Sequence, residues 1–394
     1  MIPDTNTHAS AGAARKKVLL ITRNFPPLVG GMERYNQRVF EQLGRTFDTA
    51  LCGPTGCDGY LPAATPVRAV RIKPLLAFML AMPFAALGLA RKQRPDVVIA
   101  GSGLTAPIAL LVGRIMRARV LVLLYGLDLV VSSRFYQLLW LPAIRACDGF
   151  IPISEYTRSL AISKGLDASR LRIVHPGVDV PESDEEAGRR FRREFGLGER
   201  PILLSVGRLT RRKGLVEFIT QSLPAIVRVH PEVVLIAIGG APVDALAGNR
   251  GGVSEAALEA AAALGLERNL LLLGSCPDAT VRAAYRASQV HVFPVRAIPG
   301  DIEGFGIVAL EAAINGVPTV AFAVGGVPDA VHPLNSGRLI APGDYDAMAR
   351  SIIEYLSTPA DARTRAACIE FAHGFEWNQI GTVLVKAVTE LAKP

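Results

Sequence analysis

Two glutamates eight positions apart, Glu303 and Glu311, bracket a Gly-Phe-Gly segment in the stretch GDIEGFGIVALEAAINGVP, residues 300–318. The apolar run after Gly306 predicts a helix from Ile307 to Asn315, closed by Gly316. The first N–H groups of a helix are unpaired and its dipole is positive there, so this start is a seat for an anion. Gly304 and Gly306 let backbone approach a ligand closely. The Glu311 carboxylate can accept two hydroxyl hydrogen bonds at once, as a ribose diol would offer. Glu303, ahead of the helix, can meet a sugar hydroxyl. One carboxylate for each end of a nucleotide-sugar, with the diphosphate between them, accounts for the pattern. The plain alternative is two solvated glutamates flanking a helix start.

A second segment, SVGRLTRRKG (205–214), follows an apolar run and places Arg208 and Lys213 beyond its carboxyl end. In open α/β sheets, ligands bind outside the carboxyl ends of the strands. Two cations there would stabilise a leaving diphosphate as its charge develops. The alternative is a basic loop on a basic protein, since Arg211 and Arg212 fill the gap.

Elements that could position these residues recur along the chain. Strand-like runs are KVLLIT (17–22), TALC (49–52), VRAVRI (67–72), DVVIAG (96–101), RVLVLL (119–124), FIPIS (150–154) and LRIVH (171–175). The second half adds PILLSVG (201–207), EVVLIAIG (232–239), NLLLLG (269–274), QVHVFP (289–294), PTVAF (318–322) and GRLIA (337–341). Several are continuous apolar runs, as in strands buried on both faces of a parallel sheet. Helical patterns separate them, and the alternation restarts after the polar stretch 181–201. The chain thus reads as α/β, two doubly wound parallel-sheet domains in tandem. The expected segments are a disordered tail at 1–14, an N-terminal domain at 15–185, a C-terminal domain at 186–376 and a final helix at 377–394 packing back on the N-terminal domain. The tail has no apolar run of a secretory leader.

The first helix starts on Gly30-Gly31, with Met32, Tyr35, Val39, Phe40 and Leu43 at helical spacing and Gly44 as its cap. The uncharged run PLLAFMLAMPFAALGLA (74–90) is short for a membrane span and contains Pro83, so it reads as a buried helix. An interfacial helix flanked by Lys73 and Arg91-Lys92 is the alternative. RFYQLLWLPAIR (134–145) is the better candidate for a lipid interface if exposed, the alternative being ordinary packing in the core.

Charge is unevenly spread. The chain carries a net +8, and residues 59–127 hold nine basic side chains against Asp96 alone. That balance suggests an anionic partner such as a membrane surface; the plain alternative is a basic surface that only aids solubility. Nucleic acid is set aside, because aromatics do not interleave with the basic residues. The five cysteines are scattered with no CxxC pair, which argues for a reducing compartment and against a zinc site. GSGLTA (101–106) fits a dinucleotide fingerprint by letters but follows the fourth strand rather than the first. Asp344-Tyr-Asp346 matches a metal-binding DxD by letters; Asp344 reads better as a helix N-cap.

Taken together, the sequence resembles the retaining GT-B glycosyltransferases of family GT4. The resemblance rests on FPPLVGGMERY (25–35), YGLD (125–128), HPGVD (175–179), VGRLTRRKG (206–214), EGFGIVALE (303–311) and GVPTVAFAVGGVPDAV (316–331), and covers the chain from about residue 16. Within the family it is most similar to bacterial lipid-directed mannosyltransferases that use GDP-mannose. The resemblance implies two Rossmann-like domains facing a cleft. It implies donor contacts from Gly30 and Gly31, a diphosphate clamp from Arg208 and Lys213, and Glu303 on the transferred sugar. The backbone at Gly304, Phe305, Gly306 and Ile307 would form the phosphate seat, with Glu311 on the ribose and Ser275 and Cys276 near the base. Glu303, Arg208 and Lys213 would be the catalytic set, with no metal and no cofactor. Many relatives carry His where this chain has Tyr125; Tyr125 and Asp128 would border the sugar or acceptor. The implied partners are a nucleotide-sugar, a lipid-linked glycan acceptor and an anionic membrane surface, at the inner face of the cytoplasmic membrane. Transfer from a UDP-sugar, or a nucleotide-sugar epimerase on the same fold, are the alternatives.

Overall fold

The computed structural model describes residues 15–131, 133–240, 252–358 and 362–393; the expected tail at 1–14 lies outside the described residues. Two compact units make up the chain. One comprises residues up to Leu123 with Gln137–Ile151 and the segment from Val383; the other comprises Leu124–Tyr136 and Pro152–Thr382. Residues 124–136 and 152–180 thus group with the second unit, although they precede the polar stretch.

The first sheet contains β1 (Lys17–Ile21), β2 (Asp48–Pro54), β3 (Val67–Val70), β4 (Val97–Ala100), β5 (Arg119–Leu124) and β6 (Gly149–Pro152), in the order β3-β2-β1-β4-β5-β6. The second contains β7 (Ile202–Val206), β8 (Val234–Ile238), β9 (Leu270–Gly274), β10 (Val290–Phe293), β11 (Thr319–Phe322) and β12 (Gly337–Ile340), in the order β12-β11-β10-β7-β8-β9. The strand ladders are parallel, with Leu19 opposite both Ala50 and Val98, and Leu203 opposite both Leu235 and Val290. In each sheet the first strand lies inside and the order reverses beside it, between β1 and β4 and between β7 and β10. Such a reversal leaves a crevice at the carboxyl ends of the two strands.

The cores follow the sequence pattern. β4, β8, β10 and β11 are buried along their whole length, β4 and β8 as unbroken apolar runs and β10 and β11 with His291 and Thr319 buried among apolar residues. Under the second sheet, Phe191, Leu204, Ile236, Tyr285, Ala312 and Val317 form one buried cluster.

Three local expectations are corrected. LRIVH (171–175) forms no strand; it is held by isolated bonds such as Val174 N–H to the Pro152 carbonyl at 3.0 Å. Gly44 ends the helix Gly31–Gly44 from within, and Arg45 is its cap. The run at 74–90 is not a buried helix. Helix Leu75–Gln93 continues through Pro83, and only one face is covered, by Phe78, Met82, Ala86, Leu89 and Ala90. The helix packs on helix Ala106–Met116 and on β3 and β2, where Met82 Sδ lies 3.3 Å from Cys52 Sγ. The opposite stripe, Leu76, Leu80 and Phe84, is 71%, 63% and 79% exposed.

Candidate functional site

In the second unit, the loops after β7 and β10 leave the two strands that flank the order reversal. β7 ends at Val206, and Gly207 N–H bonds the Ile238 carbonyl at 2.9 Å while Leu209 N–H bonds that of Gly240 at 3.0 Å. These bonds fix the loop to the end of β8 and leave Arg208 exposed. The chain then makes a single tight turn, Arg211–Lys213. Arg211 faces solvent and Arg212 is 8% exposed.

The loop after β10 brings two carboxylates to that turn. Lys213 Nζ lies 2.8 Å from Glu303 Oε2, with both side chains largely buried. Arg212 ion-pairs with the same Glu303 oxygen and reaches Asp301 Oδ1 through Nε at 3.0 Å. Lys213 Nζ also sits 4.6 Å from the centre of the Phe293 ring, a cation–π contact. Burial alone would raise the Glu303 pKa, but the charges of Lys213 and Arg212 outweigh it and hold it at about 2. Burial pulls Lys213 down, against the opposing pull of Glu303. Arg212 is pushed up, its two carboxylates overcoming the desolvation it suffers.

Beyond Glu303 the chain turns into helix Ile307–Ile314, with Gly306 at its N-cap in the left-handed region, φ 97°. The backbone before the helix is pinned from a second side. Gly326 N–H bonds the Glu303 carbonyl at 2.9 Å. A Cβ on Gly326 would overlap the Gly304 carbonyl oxygen, so only glycine allows that approach. Phe305 is buried and stacks on His175, ring centres 5.4 Å apart. Tyr285 Oη donates to the Val308 carbonyl at 3.1 Å and to Glu311 Oε2 at 3.4 Å, which orients the Glu311 carboxylate.

Tyr125 and Asp128 adjoin this loop. A Cβ on Gly304 would meet the Tyr125 carbonyl oxygen at 2.5 Å. Asp128 Oδ2 accepts the Tyr125 N–H at 3.0 Å, so the carboxylate caps its own turn. Ser275 and Cys276 follow β9, and a Cβ on Gly240 would overlap the Ser275 hydroxyl, which places Ser275 against the end of β8. Gly30 and Gly31 open a helix in the other compact unit, where Asn24 Nδ2 donates to Glu33 Oε1 at 2.7 Å across the same turn.

The structure therefore joins Lys213 to Glu303 directly, with Glu311 further along the same helix and Arg208 close enough for its charge to act on Lys213. Arg212, Asp301 and Tyr285 were not singled out from sequence. Arg212 was hidden by an identical neighbour. Asp301 carried a signal, since it stands two residues before Glu303 in an extended loop. Asp344 is the expected N-cap, accepting the Ala347 N–H at 2.8 Å. Asp329, also unforeseen, accepts the Glu155 N–H at 2.6 Å.

Cations, a helix start and carboxylates at the reversal of a doubly wound sheet suit an enzyme that handles a nucleoside diphosphate and its sugar. Comparison with known proteins agrees. Residues 189–374 match the glycosyl transferases group 1, and residues 29–182 match Glycosyltransferase Family 4. A GDP-mannose-dependent alpha-(1-6)-phosphatidylinositol monomannoside mannosyltransferase of Mycolicibacterium smegmatis is 30% identical over 364 residues, covering 88% of this chain and 90% of its own. The protein of the same description from Mycobacterium tuberculosis H37Rv is 29% identical, over 92% of this chain and 93% of its own. The crystal structure of Anabaena Alr3699/HepE with UDP superposes with a TM-score of 0.77 at 20% identity, covering 95% of this chain and 100% of that one. The fold is GT-B, and the chain belongs to the family 4 glycosyltransferases.

Proposed function

We propose that this glycosyltransferase moves mannose from GDP-mannose to a lipid-linked acceptor, with retention at the sugar carbon, at the inner face of the cytoplasmic membrane. The observation that carries the donor site is the buried meeting of Lys213, Arg212 and Glu303 beside the start of helix Ile307–Ile314. Arg208 and Lys213 hold the diphosphate, and backbone at Gly304, Phe305, Gly306 and Ile307 completes its seat. Glu303 meets the hexose, Glu311 the ribose, and Ser275 and Cys276 border the base. As the bond from the sugar carbon to the diphosphate breaks, charge grows on the departing oxygen and the two cations stabilise it. The acceptor oxygen bonds the same carbon from the same face, and its proton passes to the departing phosphate.

The choice of GDP-mannose and of a lipid acceptor follows the two mycobacterial relatives, whose descriptions name both. The basic stretch at 59–127 supports work at an anionic surface. The test is thermal unfolding with GDP, UDP, ADP and their sugars, followed by transfer of labelled mannose to phosphatidylinositol monomannoside. A ligand at a hundred times its Kd stabilises by about 2.7 kcal/mol, so a specific donor is readily distinguished. Stabilisation by the GDP series and a labelled lipid with the donor's anomeric configuration are expected. Stabilisation by the UDP series alone would overturn the donor. An epimerised nucleotide-sugar with no transfer would overturn the reaction.

A further inference from the structure

Lys213, the cation assigned to the donor's diphosphate, already has an anion: Glu303, at 2.8 Å. A donor that takes up Lys213 must therefore draw it away from Glu303. A carboxylate as buried as Glu303 is costly to leave without a counter-charge, and would take up a proton instead. Arg212 supplies the second charge. It is 8% exposed, bonds the Glu303 oxygen that Lys213 also uses, and is anchored on its far side by Asp301 at 3.0 Å. Its backbone is fixed as well, since Arg296 N–H donates to the Arg212 carbonyl at 2.8 Å. Both cations converge on Oε2.

We infer that Arg212 is a positioning residue that keeps Glu303 charged and in place when Lys213 turns to the donor's diphosphate. Resting on the donor site proposed above, this assigns different tasks to adjacent side chains. Lys213 exchanges partners during the cycle; Arg212 does not. Among the described residues, the charged groups paired with Glu303 are Lys213 and Arg212 from the loop after β7, and Asp301 of its own loop pairs with Arg212. Arg208 acts on Lys213 from further out, and His291 is neutral, its pKa lowered to about 3 by burial and then by Lys213. Arg212 is thus the cation left to Glu303 once Lys213 is engaged.

The test compares wild type, Arg212→Gln, Arg212→Lys and Lys213→Ala in full-length protein, with folding checked by circular dichroism. GDP affinity is measured by calorimetry, and turnover at saturating donor is followed across pH. Arg212→Gln should bind GDP within about threefold of wild type, lose at least tenfold in kcat, and show the acid limb of its kcat profile moved up by about one pH unit or more. Arg212→Lys should recover most of the turnover, with an acid limb between the two. An unmoved acid limb in Arg212→Gln would overturn the inference. So would a loss of GDP binding as large as the loss of turnover, since Arg212 would then be a phosphate ligand. If Arg212→Gln fails to fold, Arg212→Lys decides: a profile superimposed on wild type overturns the role. Lys213→Ala separates the two levels. GDP binding undiminished in that variant would remove the donor site itself; weakened GDP binding together with an unmoved Arg212→Gln profile would remove the Arg212 role alone.

Discussion

Two cations assigned to the same diphosphate differ in what surrounds them, and this sets how their loss is felt. Arg208 is exposed, while Lys213 is buried against Glu303. A charge-assisted hydrogen bond is worth roughly 1.5–3 kcal/mol. Each alanine variant should therefore lose at least about tenfold in turnover. Their stabilities should part company: Arg208→Ala unfolds like wild type, whereas Lys213→Ala is measurably less stable because Glu303 is left to Arg212 alone. Urea titration beside steady-state kinetics checks both halves, and equal stability of the two variants would contradict the pairing. Residue type and spacing single out Arg208, Lys213, Glu303 and Glu311, and the fold pairs Lys213 with Glu303 and sets Glu311 on the helix that follows. The sequence could not separate Arg211 from Arg212. Consecutive arginines in a tight turn point in different directions, and only the fold decides which one is buried. Glu311→Ala should weaken GDP binding; an unchanged affinity would overturn the ribose contact proposed for Glu311, whose carboxylate Tyr285 holds.

At the scale of elements, an apolar run recorded burial well and pairing less well. Twelve of the expected runs became strands, because continuous Val, Ile and Leu suit a sheet covered on both faces. LRIVH had the same composition without becoming one, since only tertiary context determines whether a sheet edge is available. The element that could not be foreseen is the nesting of 324–326 against 303–305. Gly326 has an ordinary φ of −84°, so backbone strain is not why it is glycine; the Gly304 carbonyl against it is. Gly326→Ala should displace Glu303 and cut turnover by more than tenfold while the protein stays folded; activity near wild type would show that the loop accommodates a methyl group. β10 carries a second consequence. His291 is buried on it, with Nδ1 3.1 Å from Thr319 Oγ1. Burial, and then the charge of Lys213, lowers its pKa from 6.5 to about 3. The unfolded chain binds a proton near pH 6.5 that the folded chain refuses until about pH 3, so stability must fall as pH drops below 6.5. One such proton gives a slope of up to about 1.4 kcal/mol per pH unit. Glu303 adds to this only below about pH 4.5, where its depressed pKa begins to cost stability. Urea unfolding at pH 7.5, 6.5 and 5.5 should show that loss in wild type and a flatter dependence in His291→Gln. Parallel curves would rule His291 out as the source.

Over the whole molecule, the excess of positive charge coincides with a surface that sequence reading placed inside. Pattern alone treated helix Leu75–Gln93 as core, because a helix apolar on every face is buried in most proteins. Its length and composition would also let it cross a membrane. Packing argues against a span: Phe78, Met82, Ala86, Leu89 and Ala90 are committed to the interior of the first unit. The helix can only lie flat, offering Leu76, Leu80 and Phe84 outward, while Leu111 and Ile115 of its neighbour are each 48% exposed. Lys73 precedes the stripe, Arg91 and Lys92 close the helix, and Arg114 and Arg117 follow on the neighbour. Each basic residue near an anionic surface contributes about 1 kcal/mol, and each fully buried Leu or Phe about 1.5–3 kcal/mol. The two contributions differ in their response to salt, because screening acts on charge and not on apolar burial. Wild type should sediment with phosphatidylglycerol vesicles, weaken as salt rises and yet retain part of its binding at high salt. Leu80→Glu with Phe84→Glu should remove the salt-resistant part and leave GDP binding intact, because the stripe lies on a different unit from the Lys213–Glu303 cluster. Binding by that variant equal to wild type would mean that the apolar stripe does not enter the lipid. Release of wild type by salt alone would reduce the interaction to charge.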